Sequence, residues 1–252
     1  MIDSHCHLEQ KVYEKDLDDV IGLCKKEGLK ALVTVCADPK DFDKSLEIVD
    51  VYPDYVFLCA SIHPEFIKDI TARQVDNYFD RLKESKDKLV AVGECGLDYF
   101  WVKEDDWREK QKELFIRHIE LSKELNLPLV IHSRDAWEDV LKILEQEDVK
   151  KALLHFWGSR ELMPRVIENN YSITIGPLIA RSKNHKKIVR DTPLENILLE
   201  TDSPWFGQNG EKGVPTNIKI PCEKISEVKK LNFGEVWNKC GNNTKKFFSL
   251  PI

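Results

Sequence analysis

The sequence predicts an α/β fold, a (β/α)8 TIM barrel with extra C-terminal helices, and three observations carry that expectation. Eight short apolar runs recur along the 252 residues, mostly separated by stretches with helical spacing. Strands alternating with helices imply βαβ units and a parallel sheet. The runs are continuous rather than alternating, as in strands buried on both faces. Eight such units in a chain of this length suit a closed barrel better than an open doubly wound sheet. No internal repeat, low-complexity segment or linker breaks the pattern, so a single domain over residues 1–252 is expected.

The run at residues 1–4 is too short for a helix and leads into His5-Cys6-His7. A helix is expected over 14–26, where Leu17, Val20, Ile21 and Cys24 share a face and Gly28 caps the end. Strand two is 31–36. Asp38-Pro39 opens a second helix with Phe42, Leu46, Val49 and Tyr52 on one side. Strand three is 56–60, and a helix over 71–84 opens on a Thr71/Gln74 capping box. Strand four is 89–93 and closes on Glu94. A long helix follows over 107–125, then strand five at 128–131. Asp135 and Glu138 are expected to cap the next helix, which buries Trp137, Val140, Leu141 and Leu144. Strand six (152–154), a helix (159–168), strand seven (171–175), a short basic helix (184–190) and strand eight (196–199) complete the barrel. Residues 206–221 hold four glycines or prolines before closing and are expected to flex. Residues 222–248 read as helices packed outside the barrel.

Composition narrows the function. Hydrophobic residues at 42% and charged residues at 33% describe an ordinary globular chain, and no run of 18 apolar residues marks a membrane span. The first apolar block is internal and strand-like, so no secretory segment is expected. Seven cysteines without a C-x-x-C pair read as reduced, buried thiols in a cytoplasmic protein. A formal charge of −6 argues against general electrostatic coating of nucleic acid. It leaves open a nuclease that holds phosphate through metal ions.

The chemistry lies in where the metal-ligating residue types fall. His5 and His7 close strand one, His63 follows strand three and Glu94 ends strand four; His132, His155 and Asp202 stand at the ends of strands five, six and eight. In a (β/α)8 barrel all these ends meet on one face, where active sites form. Each residue alone has an ordinary explanation as a loop, a cap or a satisfied core histidine; together they converge from six strands. Imidazole and carboxylate donors without sulfur suit Zn, Mn, Fe, Co, Ni or Mg rather than a structural Cys-type zinc site. Six donors exceed the need of one catalytic ion. Two ions about 3.5–4 Å apart, bridged by the central Glu94, are the economical arrangement. They would acidify a bridging water to hydroxide, with Asp202 as general base. Cys6 and Cys95 adjoin these residues, but Cys6 faces away, so both stay out of the site.

Five motifs in order, His5-Cys6-His7, Ser61-Ile62-His63-Pro64, Gly93-Glu94-Cys95-Gly96-Leu97-Asp98-Tyr99, the run 128–135 and Glu200-Thr201-Asp202-Ser203-Pro204, resemble those of the TatD family of metal-dependent deoxyribonucleases, within the amidohydrolase-like barrels. The likeness continues to Asn243 and Phe248. It implies a divalent-metal phosphodiesterase, a 3′–5′ exodeoxyribonuclease. By position, His5, His7, Glu94 and Asp202 would hold one ion, and Glu94, His132 and His155 the second, with Mg, Mn or Zn expected. His63 would contact the scissile phosphate with help from Arg134. Three departures stand out: Ser61 replaces a glycine, Phe156-Trp157-Gly158-Ser159 is one residue short, and Lys212-Gly213-Val214-Pro215 replaces a basic-Asn-x-Pro patch.

The expected partner is DNA, single-stranded or at its 3′ ends, with RNA also open. The alternative is a metal-dependent amide or ester hydrolase, acting on a small molecule or deacylating aminoacyl-tRNA, because the same hydroxide attacks a carbonyl. A phosphate pocket would favour the nuclease; a narrow pocket without basic side chains would favour the alternative.

Overall fold

Apolar runs with both faces buried form the strands β1 (Ile2–Cys6), β2 (Ala31–Cys36), β3 (Val56–Ala60), β4 (Leu89–Asp98), β5 (Leu129–Arg134), β6 (Ala152–Leu154), β7 (Ser172–Ile175) and β8 (Ile197–Leu199). The structure, a computed structural model, describes residues 1–207 and 210–252. The strands lie parallel in chain order in one sheet. Hydrogen bonds between the last and first strands close it: Ser4 Oγ donates to Leu199 O (2.8 Å), Asp202 N–H to His5 O (2.9 Å) and His7 N–H to Ser203 O (2.7 Å). Asp3, fully buried, accepts from the Thr201 hydroxyl (2.5 Å) and the Thr201 N–H (3.1 Å) across the same seam. The expected (β/α)8 barrel is the fold.

Side chains alternate between two apolar layers, as a period of two requires. Val33, Cys59, Ala91, Val130, Leu153 and Leu198 cluster inside the barrel. The intervening positions, such as Leu32, Leu58, Val92 and Leu154, pack outward against α1 (Leu17–Lys26), α2 (Phe42–Val51), α3 (Ala72–Glu84), α4 (Asp105–Leu125), α5 (Trp137–Gln146), α6 (Met163–Glu168), α7 (Lys183–Asp191), α8 (Lys219–Lys229) and α9 (Phe233–Phe248). Thr71 and Gln74 form the expected capping box on α3. All seven cysteines are free and buried. No helix among the described residues is long and apolar enough to cross a membrane.

Several elements differ from expectation, each for a local reason. β4 runs on to Asp98 instead of stopping at Gly93, because Cys95, Gly96, Leu97 and Asp98 pair with β5. Glycine ordinarily weakens a strand; here Gly96 permits a close approach, since a Cβ on it would sit 2.1 Å from His132 O. Glu94 and His132 therefore lie within strands, not at their ends. Asp135 and Glu138 do not cap α5: Ala136 occupies the N-cap without a side-chain bond, and Asp135 takes a left-handed φ of 57° that turns the chain there. α6 starts at Met163 rather than 159, with Pro164 in its first turn. α9 does more than coat the outside. Its Asn243 Nδ2 donates to Leu194 O (2.7 Å) and Ile197 O (2.9 Å) beside the seam. Its Phe247 and Phe248 join the inner cluster at the barrel's lower end. In the loop over 206–221, Gln208 and Asn209 lie outside the described residues. Beyond them Gly213 N–H donates to Pro204 O (2.8 Å) and Gly213 O accepts from Tyr13 Oη (2.5 Å).

Gly96→Ala combines a left-handed φ of 138° with a backbone clash. It is expected to cost about 2–4 kcal/mol of stability, read as a lower denaturation midpoint in a urea melt; an unchanged midpoint would refute this account of β4.

Candidate metal centre

His5, His7, Glu94, His132, His155 and Asp202 all meet at the C-terminal mouth of the barrel, with His63 beside them. His5 Nε2 lies 3.2 Å from His7 Nε2, 3.3 Å from Glu94 Oε2 and 3.7 Å from Asp202 Oδ1. Asp202 Oδ1 is 3.2 Å from His7 Nε2. Glu94 Oε1 is 2.8 Å from His132 Nδ1 and 3.6 Å from both His63 Nε2 and His155 Nε2. Glu94 is thus the carboxylate common to both sides of the cluster. The donor atoms of three sets lie close enough to share an ion: His5, His7 and Glu94; His5, His155 and Asp202; and His63, Glu94 and His132.

Second partners set which ring nitrogen faces inward. His7 Nδ1 lies 2.8 Å from Val35 O, so in the neutral ring Nδ1 donates and the Nε2 lone pair points into the cluster. His155 Nδ1 donates to Glu200 Oε2 (2.7 Å), and His132 Nε2 to Asp98 Oδ2 (2.9 Å). A carboxylate behind an imidazole is the usual support of a metal-ligating histidine. His63 is arranged the other way: its Nδ1 accepts the Glu65 N–H (3.2 Å), which in the neutral ring leaves the proton on Nε2. The inward nitrogen of His63 is then a donor, unlike those of His7, His132 and His155.

Asp98 and Glu200 were not singled out in the sequence, although both lie inside the quoted motifs. A signal for Asp98 was available: in an extended strand Glu94, Gly96 and Asp98 share one face. Glu200 lies one residue past β8, and its other oxygen accepts the Phe156 N–H (3.2 Å). Asp202 has a left-handed φ of 53° just past β8. Cys6 is turned away as expected, its thiol donating to Val33 O (3.4 Å). Arg134 is exposed at the rim, its guanidinium 3.7 Å from the centre of the Phe100 ring. Lys212 does not face the mouth, being paired with Asp16.

The electrostatics fit a cation. Burial alone would raise the Glu94 carboxyl, but His155, His63, His132 and His5 around it hold it well below the usual carboxylate range. Asp202 is likewise lowered, against burial, by His7 and His155. Burial opposes charge on His132 and His155 too. Asp98 and Glu94 nevertheless push His132 up to about 9, and Glu200 with Glu94 pushes His155 up to about 10. Protons therefore balance these carboxylates in the metal-free protein. His5, buried and facing His155, is shifted down and offers a free lone pair. Its Nδ1 is buried without a hydrogen-bond partner.

A closed parallel barrel with imidazole and carboxylate donors converging at its C-terminal mouth defines a metal-dependent hydrolase. The family model described as TatD related DNase matches residues 2–249, and the chain belongs to that family. It is a hydrolase acting on ester bonds. It is 34% identical to the human deoxyribonuclease TATDN3, covering 98% of this chain and 94% of the relative. It is 32% identical to the metal-dependent hydrolase YabD of Bacillus subtilis, covering 99% of each chain. The crystal structure of YJJV, a TatD homolog from Escherichia coli, superposes with a TM-score of 0.89 at 25% identity, covering 100% of this chain and 98% of that one.

His7 is raised like His132 and His155, so all three hold protons at pH 7 in the metal-free protein, and a divalent ion held by them would have to displace those protons. Its affinity should rise with pH from 7 through about 9 to 10, the range in which His132 and His155 give up their protons. Calorimetry in buffers of different ionisation enthalpy measures the released protons; zero release at pH 7 would separate these imidazoles from the ion.

Proposed function

We propose that this chain is a two-metal phosphodiesterase, a 3′–5′ exodeoxyribonuclease that shortens single-stranded DNA or free 3′ ends. The observation that carries the reading is a mouth cavity of about 640 Å³ lined at once by the donor cluster, Arg134, Trp101 and Trp205. Its floor suits divalent ions, and its walls suit a phosphate-bearing chain with stackable bases. A narrow pocket without a cation would have favoured the amide or ester alternative. RNA, which shares this backbone chemistry, is the comparison substrate.

His5, His7, Glu94 and Asp202 would hold one ion, and Glu94, His132 and His155 the other, with Glu94 shared. Mg, Mn and Zn all match this oxygen and nitrogen donor set. When bound, the ions supply Lewis acidity to the phosphoryl oxygen and lower the pKa of water to about 7. Asp202, ionised at neutral pH, accepts the proton of the attacking water. His63 donates its Nε2 proton to a phosphoryl oxygen, an assignment supported by the Glu65 N–H on its Nδ1. Arg134 steadies the phosphate from the rim, with Phe100 fixing the plane of its guanidinium. Trp101 and Trp205, 61% and 53% exposed, offer faces on which bases stack.

With Mg²⁺ or Mn²⁺ the protein should shorten a 5′-labelled single strand from its 3′ end, and chelator should stop it. Asp202→Asn should slow this by about 10²–10⁴-fold while retaining metal in elemental analysis. Intact DNA alongside turnover of carboxylic esters would select the alternative hydrolase.

His63→Ala should raise KM for DNA by about 10–100-fold with both ions retained, as expected for losing a hydrogen bond to a charged group. Loss of an ion in that variant would make His63 a ligand instead.

A further inference from the structure

We propose that a basic segment beside the mouth, Arg181 to Lys187, is a track for the part of the DNA strand lying 5′ of the bond being cut. The inference rests on the proposed nuclease reading. The chain is acidic overall, yet residues 181–190 carry Arg181, Lys183, Lys186, Lys187 and Arg190 and no carboxylate. Many surface cations elsewhere are neutralised in ion pairs, as Lys68 is with Glu104, Lys212 with Asp16 and Arg165 with Glu138 and Glu145. Arg190 pairs with Asp191, and Lys186 Nζ donates to Ala180 O. Arg181, Lys183 and Lys187 are exposed and have no ion pair with any described residue. Lys183 and Lys187, four apart on α7, share one helix face.

The segment sits where a strand leaving the donor cluster would pass. α7 begins at the mouth end of the barrel: Asn184 Nδ2 donates to Gly158 O (2.7 Å) in the loop after β6, and the buried His185 ring lies 6.1 Å from Phe156. From His155 the path runs over Phe156 (5.4 Å between ring centres), then to Phe206, stacked on it at 4.8 Å. Phe206 lines both the mouth cavity and an adjoining groove of about 290 Å³ that holds Leu178, Arg181 and Ile220. The floor is apolar and aromatic, Arg181 lines the groove, and Lys183 and Lys187 stand exposed on the helix that begins just after it, a combination that suits single-stranded nucleic acid.

The opposite rim repels a polyanion. Asp38, Asp41 and Glu65 line the mouth on the β2 and β3 side. Within a Debye length of about 8–10 Å such a difference steers a charged strand toward one side. The strand therefore leaves over Phe206 toward α7, and the cations there hold phosphates several nucleotides from the cut. A longer strand then binds tighter than a dinucleotide, at a bond chemically the same.

The test combines Arg181→Glu, Lys183→Glu and Lys187→Glu in the full chain, with a thermal melt to verify folding, and Lys187→Glu alone as the milder variant. The ratio of kcat/KM on a twelve-nucleotide strand to that on a dinucleotide should fall about 10-fold in the triple variant, and by less in Lys187→Glu. Anisotropy of the labelled twelve-mer, measured in chelator, should show a salt slope shallower by about 2 for three lost phosphate contacts. An unchanged ratio together with an unchanged slope overturns the track. If the wild-type chain cuts neither DNA, yet its binding shows the slope change, the nuclease reading fails and the track stands.

Discussion

The seam between β8 and β1 is the constraint on which the rest depends. The two strands are almost 200 residues apart in sequence, and barrel closure sets them side by side. Asp202 N–H then bonds to His5 O, His7 N–H to Ser203 O, and the buried Asp3 carboxyl ties down Thr201. The same bonds that close the sheet bring the Asp202 carboxylate to 3.2 Å from His7 Nε2. Fold closure and site assembly are one event. The polar side chains on the inner face at this end would be costly if left unpaired, and their mutual bonds offset that cost. α9 supports the seam from outside through Asn243, which gives the far C-terminus a structural reason for its position.

Around the cluster, a second ring of groups decides what the first can do. Val35 O, Glu200 and Asp98 each engage the outer nitrogen of an imidazole and so direct the inner one. His63 has a backbone N–H in the corresponding place, which reverses the polarity of its ring. Four histidines of one residue type thereby divide into three prospective ligands and one prospective donor. The carboxylates outweigh the burial that would otherwise keep His132 and His155 neutral. Such an electrostatic balance favours a divalent cation, which supplies fixed charge without a proton.

Away from the floor, the mouth is not symmetric. Carboxylates line the β2 and β3 side, aromatic side chains stand on two opposing loops, and cations without an ion pair to any described residue stand beyond β7. A negative net charge is compatible with the proposed polyanionic substrate when cations are concentrated on one bank and the cut would be made over metal ions. The loops that differ from the usual family pattern, after β6 and after β8, are those that carry Phe156 and Phe206. Under the proposed reading, the loops that would shape substrate preference are separate from the donor cluster.

Much of this was legible in the amino-acid sequence. Eight apolar runs with helices between them determine the barrel, because two buried faces and a parallel crossover leave few alternatives. The placement of His5, His7, His63, His132, His155, Glu94 and Asp202 near strand ends determines that they converge on one face. Strand four is expected from the sequence to close on Glu94, but it runs on to Asp98, because Gly96 allows the close approach to His132 O that keeps it paired with β5. The ring orientations of the histidines, the support from Asp98 and Glu200, and the aromatic path to α7 were decided only by tertiary structure. Each depends on atoms brought within a few ångströms from distant parts of the chain, and such distances are set by packing and not by local periodicity.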